Sequence, residues 1–544
     1  TAADQMVDSP TNNFATNLPF ITKFHPSYPA ITHSEGNLKV EFGSAGGGMN
    51  GAVSSMAIPS TGKWYMERCI LTTGDGYGYP GDGISDLLGD AFPHATKTSY
   101  AHGGTINSDG DIYGVGYDAD AGTVYWYKNG SQVSTASIAA GLSGETLFFN
   151  VSDDQGSGSK KMPFITNYGQ DSSFAGKKTA QGNQDANGIG DFYYTVPTDF
   201  LALCTSNLPA VAVIPSEHFN TVLYTGTGSS NARTGIGFQP DFVWIKDREH
   251  TEAHRLFDSV RGVQKNLTSI GTHTEWTDAN SLTAFGSDGF TVGSENAVNG
   301  ASGHDFVAWN WKAGGSGSAN TVGDLDSTVS VNADAGFSIV SYTGDGVNGR
   351  TVGHGLGSAP EMIILKTRET YFTWGVGHDD LTWAKYINLD STAAADTGGG
   401  TFNSVAPTST LFTVADNYNV DTEGHIGYCF KSVDGYSKVG SYEGNDNADG
   451  TFVYTGFSPK FILFKNIERA GQDWGIYDNV RHTTNPLGDR LFANDTPAES
   501  ANTDNIDFLS NGFKWRDNSY VNNYTETYIY IAFAETPFKY SNAR

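Results

Sequence analysis

Hydrophobic positions along this chain alternate with polar ones or cluster in short runs, and helical periodicity is nearly absent. Glycine, asparagine, aspartate and serine bound these runs, as is typical where short strands end in tight turns. The segment Thr123–Lys128 is an example, because it leads directly into Asn129-Gly130, the strongest short-range signal for a hairpin. The pattern therefore predicts an all-β protein, most simply a series of sandwiches.

The second half of the chain repeats itself. Three segments share the order proline, five mostly apolar residues, lysine, two further residues and glutamate: Pro240–Glu249, Pro360–Glu369 and Pro459–Glu468. The long spacing between them indicates one small β-domain per repeat rather than a short solenoid coil. In each segment the proline is expected to open a buried strand that leaves the lysine and the glutamate at its rim.

Aromatic residues recur downstream of each proline, and we predict that they form the core of each repeat. His254, Trp374 and Trp474 share one column of the internal alignment. His304 and His425 also align, each after a glycine, which predicts a structural hydrogen bond at a strand start. The aromatic side chains expected to be buried are Trp244, Trp374, Trp474, Phe290, Phe412 and Phe513.

Composition shifts divide the chain into four parts. One break falls near 205–217, and a second, of linker composition, is Gly314–Ser318. The predicted domains are a β-sandwich at 1–207 and three β-repeats at 218–330, 331–435 and 436–544.

Charge and composition exclude several classes of protein. Acidic residues outnumber basic ones, 59 to 32, which gives a net charge of −27 and argues against nucleic-acid binding. Aromatic residues make up 13% of the chain, far too many for a disordered protein. No apolar stretch approaches the roughly 18–20 residues of a membrane helix. The three cysteines are far apart, so we expect buried thiols rather than disulfides or a zinc site.

Four segments of residues 1–207 resemble, in order, the strands of SPRY (B30.2-type) domains. They are Ser60–Glu67, Asp111–Asp118, Thr123–Gly130 and Phe164–Gln170. The resemblance implies a concanavalin-like sandwich of two antiparallel sheets. It also implies a binding or scaffold module without catalysis.

The whole chain resembles a group of marine tailed-bacteriophage virion proteins in which a SPRY-like domain precedes tandem β-domains. The resemblance rests on the opening segment Thr1–Phe14, on the repeats, and on the final segment Phe533–Arg544. The resemblance implies a structural protein at the surface of the extracellular particle, as a tail fibre, tail tip or head appendage. The implied partners are other virion proteins and a host-surface glycan, with no membrane insertion. Because many weak contacts add in such particles, we expect a homo-oligomer, with a trimer favoured.

Exposed aromatic turns are the best candidates for sugar contacts, because a flat ring stacks on the apolar face of a pyranose. Tyr77 and Tyr79 lie in a glycine-rich turn, and Tyr524 follows two asparagines. The alternative is that each tyrosine packs over its own turn.

Asp75 and Asp82 each precede a glycine and are candidate calcium ligands, although Asp-Gly is also an ordinary turn and the full twelve-residue calcium loop is absent. Calcium is the one cofactor left open.

The segment His250–His254 carries two histidines four apart with a glutamate between them. A zincin helix needs the glutamate directly after the first histidine, and here the context is β. We therefore expect a structural or surface role for both histidines.

Catalytic motifs are not found in the sequence: it has no nucleophile elbow, phosphate loop or dinucleotide fingerprint. We therefore predict a non-enzymatic protein that adheres to a host-surface glycan. Two alternatives stay open. One is an assembly or decoration protein with no ligand, and the other is an enzyme that degrades surface polysaccharide.

Overall fold

The computed structural model describes residues 12–18, 31–42, 49–71, 78–86, 97–101, 108–155, 163–300, 303–398, 400–500, 506–518 and 525–540. These residues are nearly all β, which confirms the predicted fold class. The chain forms two compact units, Thr1–Ala210 and Val211–Arg544, called unit 1 and unit 2. Within the described ranges, no helix is both long and apolar enough to span a membrane. Cys69, Cys204 and Cys429 are buried and unbridged, as expected.

Two sheets make up the described part of unit 1. Its strands are β1 (Ile31–Ser34), β2 (Lys39–Phe42), β3 (Met49–Val53), β4 (Lys63–Ile70), β5 (Gly78–Ser85), β6 (Lys97–Ala101), β7 (Ile112–Asp118), β8 (Thr123–Lys128), β9 (Ser131–Ser137), β10 (Phe148–Gln155), β11 (Phe164–Asn167) and β12 (Phe200–Ala202), with a 3₁₀ helix at Ala140–Leu142. The larger sheet has the order β1-β2-β11-β4-β7-β8-β9, and β12 pairs in parallel with β4. The smaller sheet has the order β3-β10-β5-β6.

The four segments that resemble SPRY strands contribute four adjacent strands of the larger sheet, β11-β4-β7-β8. The predicted hairpin is also present, since β8 pairs antiparallel with β9 across Asn129-Gly130. Both turn residues have positive φ, 49° and 80°, as the tight turn between twisted strands requires.

Unit 2 contains the three repeats. Repeat 1 has β13 (Phe219–Thr225), β14 (Asn231–Thr234), β15 (Phe242–Asp247), β16 (Arg255–Asp258), β17 (Lys265–Asn266), β18 (Trp276–Thr277), β19 (Leu282–Gly286), β20 (Gly289–Val292), α1 (Asn296–Asn299) and β21 (Asp305–Trp311). Repeat 2 has β22 (Ser318–Asn320), β23 (Ser327–Asn332), β24 (Phe337–Thr343), β25 (Arg350–Gly353), β26 (Met362–Thr367), β27 (Gly375–His378), β28 (Lys385–Asn388), β29 (Asp396–Thr397), β30 (Leu411–Val414) and β31 (Gly424–Phe430). Repeat 3 has β32 (Ser437–Glu443), β33 (Phe452–Tyr454), β34 (Phe457–Asn466), β35 (Gly475–Asp478), β36 (Leu491–Phe492), β37 (Ile506–Leu509), β38 (Gly512–Trp515) and β39 (Thr527–Pro537). Short 3₁₀ helices lie at Pro215–Glu217, Asp379–Leu381, Asp416–Tyr418 and Phe538–Tyr540.

One strand order recurs in the main sheet of every repeat. The orders are β13-β21-β15-β16, β24-β31-β26-β27 and β32-β39-β34-β35, so the strand after the proline always pairs with the last strand of its repeat. A smaller sheet accompanies each one: β14-β20-β19, β25-β30 and β33-β38-β37. The boundaries drawn from the sequence stay predictions; β22 and β23 begin before 331 but are counted with repeat 2 because they extend its main sheet. The predicted linker at Gly314–Ser318 is tied to β23, because the amide of Gly314 donates to the Ser330 hydroxyl over 2.8 Å.

The strand after each proline is buried on both faces. In β15, Phe242 and Trp244 face a core shared by all three repeats, while Val243 and Ile245 face the core of repeat 1 itself. The equivalent strands β26 and β34 alternate in the same way. The prediction of six buried aromatic side chains is confirmed, since each is at most 3% exposed.

The lysines of the repeated segments do not lie at the rim, and that prediction is wrong. Lys246, Lys366 and Lys465 are fully buried. Each ammonium group donates to a carbonyl of the loop that follows its strand, at His250, Phe372 and Gln472 respectively. Burial lowers the pKa of each lysine to about 8. Because the second face of each strand is also covered, the lysine side chain cannot reach solvent.

The repeats close into a ring through their shared column of aromatic side chains. The Trp374 indole of repeat 2 donates to the Thr268 carbonyl of repeat 1 over 2.8 Å. The Trp474 indole of repeat 3 donates to the Asn388 carbonyl of repeat 2 over 2.9 Å. Each repeat therefore anchors on its predecessor through a buried ring and one directed hydrogen bond.

His254 completes the ring between repeats 1 and 3. Its Nδ1 accepts from the Trp244 indole over 2.8 Å, so its Nε2 is the donor that faces the Phe492 carbonyl at 2.9 Å. Burial lowers the pKa of His254 well below its ordinary value, which keeps the ring neutral. The structural role expected for His254 is confirmed.

Two of the three joints also carry a partly buried carboxylate clamped by two arginines. Between repeats 1 and 2, Arg368 binds Glu275 through two hydrogen bonds of 2.9 Å, and Arg261 reaches the same carboxylate at 3.3 Å. The Arg368 carbonyl also accepts a hydrogen bond from the Glu275 amide over 2.7 Å.

The joint between repeats 3 and 1 uses the same plan. Glu499 accepts from Arg248 at 2.6 Å and from Arg481 at 2.7 Å. At the joint between repeats 2 and 3 the equivalent residues are Ala395 and Ile467. The backbone bond from the Ala395 amide to the Ile467 carbonyl is kept, but neither side chain can ionise. The ring is therefore closed by packing everywhere and by charge at two of its three joints.

Replacing Trp374 with alanine should lower the free energy of unfolding of unit 2 by about 3–5 kcal/mol, because the ring fills the shared core. Urea unfolding followed by tryptophan fluorescence measures the change. Tyr371→Ala is the matched control, since Tyr371 lies three residues away and is 69% exposed. Equal losses in both variants would contradict the shared core.

Acid should weaken the two charged joints. Burial pushes the pKa of Glu275 and Glu499 up, but the hydrogen bonds and charges of the arginines hold it below 4.5 in both. Such a carboxylate adds stability above pH 4.5 that is lost as the pH falls through its lower folded pKa. Glu275→Gln and Glu499→Gln should each cost about 1.5–3 kcal/mol at pH 7, the range for hydrogen bonds to charged groups. The difference from wild type should shrink at pH 3, and a difference independent of pH would refute this.

Candidate metal and ligand sites

The predicted sugar-binding and calcium-binding residues fall mostly outside the described part of the chain. Asp75, Tyr77 and Tyr524 lie outside the described residues. Tyr79 lies within β5, where its backbone pairs with Asp154, rather than in the predicted turn. Their roles as ligands stay predictions.

Asp82 also lies in β5 and not in a turn. The strand pairs on one side with β10 and on the other with β6, which leaves the residue buried between two neighbours. The Arg68 guanidinium lies 2.7 Å from its carboxylate, and both side chains are buried. The turn expected at Asp82 is wrong, because the preceding glycines belong to a strand. Calcium binding there stays a prediction.

The two histidines of His250–His254 do not meet. His254 is buried at the ring joint, whereas 48% of the His250 side chain is exposed. His250 instead lies against Asp247, the last residue of β15, and beside His304, which precedes β21. These three residues form the Asp-His-His cluster.

The Asp247 carboxylate is the fixed part of the Asp-His-His cluster. It is fully buried, and its Oδ1 accepts from the amides of Glu249 and His250 at 2.9 and 3.0 Å. The Nδ1 atom of His250 lies 3.4 Å from Oδ1, and the Nδ1 atom of His304 lies 3.1 Å from Oδ2. All three ligand atoms lie within 4.8 Å of one another.

The two imidazoles stack on each other. Their ring centres are 3.7 Å apart and their planes differ by 11°. The buried Lys246 holds the loop beneath them, since its ammonium donates to the carbonyls of Asp247 and His250. These two hydrogen bonds fix the start of the loop at Asp247 and its continuation at His250.

The structure also corrects the alignment of His304 with His425. The amides of Gly226, Gly344 and Gly444 bond the carbonyls of residues 304, 423 and 526 respectively. Glu423 is therefore the counterpart of His304 in repeat 2, and Glu526 is its counterpart in repeat 3. The alignment from sequence matched Gly303-His304 with Gly424-His425 because the two pairs are identical, and it was wrong by two residues.

The His425 side chain has a different role, which is structural. Its ring stacks on Tyr342 at 4.9 Å, as Phe306 stacks on Tyr224 in repeat 1. Burial lowers the pKa of His425 to about 4, so the ring is neutral. It packs as an aromatic side chain.

The same three positions hold different chemistry in the other repeats. In repeat 3 they are Asn466, Arg469 and Glu526, and the arginine closes the group with a 2.6 Å ion pair to the glutamate. In repeat 2 they are Thr367, Thr370 and Glu423, with a hydrogen bond from Thr370 to Glu423.

A pocket opens in repeat 2 where these side chains are small. Its volume is about 180 Å³, and it is lined by Thr367, Thr370, Phe372, Asp416, Asn417 and Val420. Tyr371, between two of the lining residues, is 69% exposed, and its ring centre lies 6.4 Å from that of His273. An exposed aromatic residue thus lies in the chain between Thr370 and Phe372, which line the pocket.

Sequence reasoning found neither the Asp-His-His cluster nor the pocket. Asp247 and His304 are 57 residues apart and meet only because β15 pairs with β21. The repeats do contain a signal for the cluster, because in the corrected alignment the same three positions are polar in every repeat.

Comparison with solved structures returns several β-proteins. The SPRY domain of human HERC1 is 17% identical, with a TM-score of 0.22, and the match covers 28% of this chain and 96% of that one. The TRIM65 PSpry domain is 12% identical at a TM-score of 0.20, covering 28% and 92%. The alginate lyase PA1167 from Pseudomonas aeruginosa is 10% identical at 0.19, covering 28% and 94%. At TM-scores this low the matches carry no argument about this chain.

No curated protein matches the chain. A phage origin stays a prediction. A family model described as a domain of unknown function, DUF7483, matches residues 214–537. This match covers all three repeats and more than half of the chain, so the chain belongs to the DUF7483 family.

Proposed function

We propose that this chain is a non-catalytic adhesion protein on the surface of a marine tailed-phage particle, where it binds a host-surface glycan. The proposal combines the resemblance found in the sequence with one structural observation, the exposed Tyr371 beside the pocket of repeat 2. It includes partnership with other virion proteins and assembly as a homo-oligomer, with a trimer favoured.

Tyr371 supports sugar binding because its exposed ring offers a flat face that can stack on the apolar face of a pyranose. The pocket lined by its chain neighbours offers the hydroxyl of Thr370 and the amide of Asn417. Sugar sites need this combination, since a pyranose has apolar faces and a rim of hydroxyl groups. The net charge of −27 favours a neutral glycan over an acidic one.

A non-catalytic role is supported by the use that unit 2 makes of its buried ionisable groups. Lys246, Lys366 and Lys465 tie down loops, Glu275 and Glu499 close joints, and His254 anchors one repeat on another. Groups whose pKa is shifted mark active sites in many enzymes. Here each of these has a structural partner that accounts for its position.

Tyr371→Ala should weaken binding to neutral glycans about tenfold, equivalent to about 1.4 kcal/mol, because the stacking face is lost. A glycan array screened with the full chain identifies the ligand, and titration of that glycan measures the change. Tyr77→Ala/Tyr79→Ala, tested in parallel, addresses the turn predicted from the sequence.

Val347→Ala is the matched control, since Val347 is also an exposed apolar side chain of repeat 2 but has no aromatic ring to stack on a sugar. If wild-type protein binds no glycan but remains attached to particles, the chain is an assembly protein instead. Release of reducing sugar from host polysaccharide would show an enzyme. Glycan binding unchanged in Tyr371→Ala would remove the pocket from the proposal.

A further inference from the structure

We infer that β9 is an interface between copies of this chain, in which the free edge of Ser131–Ser137 pairs with the same strand of a second copy. This contact gives the homo-oligomer proposed above an interface, and it rests on that part of the proposed function. It needs no glycan. The observations that carry it are the position of β9 in its sheet, its exposure and its lack of charge.

β9 is the last strand of the larger sheet of unit 1. It pairs with β8 on one side, and within the described ranges no strand pairs with its other side. Six of its seven residues are exposed, and the seventh, Ser134, is half-buried. The edge of a sheet presents a row of unpaired amide and carbonyl groups, which is a template for one more strand. β9 therefore offers backbone hydrogen bonds to a strand that approaches from solvent.

The register of the hairpin shows which backbone groups point outward. The Ile138 amide donates to the Gly122 carbonyl over 2.9 Å, so these two residues form a hydrogen-bonded pair just beyond the strand. Hydrogen-bonded and non-hydrogen-bonded pairs alternate along an antiparallel ladder. Ser137 and Thr135 lie one and three residues before Ile138 and belong to non-hydrogen-bonded pairs. Their amides and carbonyls therefore point away from β8.

β9 lacks most of the features that protect an edge strand. Sheet edges are usually guarded by charged side chains, prolines or bulges. The strand contains neither a charged residue nor a proline, and the uncharged stretch extends from Asn129 to Gly144. A bulge shifts the register between Gln132 and Ser134 but leaves Ser134–Ser137 in regular pairing. The regular part includes both outward-pointing residues.

The charge of the chain indicates that the partner strand is a second β9. Copies that each carry a net charge of −27 repel one another, so they associate best through a neutral surface. A strand that meets itself brings equivalent side chains together, and any charge on it would then face a like charge. β9 has no such charge, and its serine and threonine hydroxyl groups can hydrogen-bond across the pair.

Pairing of β9 with itself requires a twofold axis, because the same surface serves both copies. Such an axis joins two single chains or two trimers, so the assembly contains two or six chains. The trimer proposed above is compatible with this contact. The competing explanation is that the bulge and the twist of the hairpin keep the edge free, or that an extended segment of another protein covers it. In either case the chain would not associate with itself through β9.

The test measures the mass of the full chain by light scattering after size-exclusion chromatography, in about 0.5 M NaCl so that charge repulsion is screened within a few Å. The wild-type mass should correspond to two or six chains. Thr135→Pro removes an outward-pointing amide and leaves the hydrogen bonds to β8 in place, so the mass should halve. Thr135→Glu keeps the amide but places a negative charge on both strands, and it should also halve the mass.

Thr135→Val is the matched control, because valine keeps the amide and the branched shape of threonine, and its mass should equal that of wild type. Near-ultraviolet circular dichroism shows whether each variant is folded, and the exposed position of Thr135 makes Thr135→Glu the decisive variant if Thr135→Pro does not fold. A wild-type trimer would overturn the inference and leave the homo-oligomer standing, whereas a wild-type monomer would remove both. An unchanged mass in folded Thr135→Glu would also overturn it. Glycan binding is measured separately, so adhesion can fail alone.

Discussion

The need to cover both faces of one strand governs unit 2. The strand after each repeated proline places alternate side chains on opposite faces of its sheet, and both sets are apolar. The smaller sheet of the same repeat covers one face. The other face can be buried only against the remaining two repeats, so a single repeat would expose an apolar surface and three repeats together do not.

The ring arrangement follows from this requirement, but the joints are not equal. A buried ring lies at every joint, whereas only two joints carry a glutamate clamped by arginines. Ala395 and Ile467 show that charge is dispensable once the shared core is packed. This tolerance also explains why the equivalent outer positions differ so widely: an Asp-His-His cluster, an open pocket and an ion pair occupy one place in the same fold.

The sequence alone predicted the parts of this fold that depend on local pattern. Alternation and turn residues indicated the strands, and the repeated aromatic columns indicated Trp374 and Trp474 as core. Periodicity could not distinguish burial on one face from burial on two, so Lys366 was expected at the rim, where Glu369 is exposed as predicted, but it is buried. Pairs that meet across the sheet, such as Asp247 with His304, depend on strand register and loop length. A repeated Gly-His pair was a poor guide to that register.

The position of β39 has a mechanical consequence. This eleven-residue strand lies between β32 and β34 and forms antiparallel ladders with both. A force applied along the strand from its carboxyl end loads the two ladders in shear, so many hydrogen bonds must break together instead of one after another. The last strand of the described residues is thus placed where tension on it is shared by two ladders of hydrogen bonds.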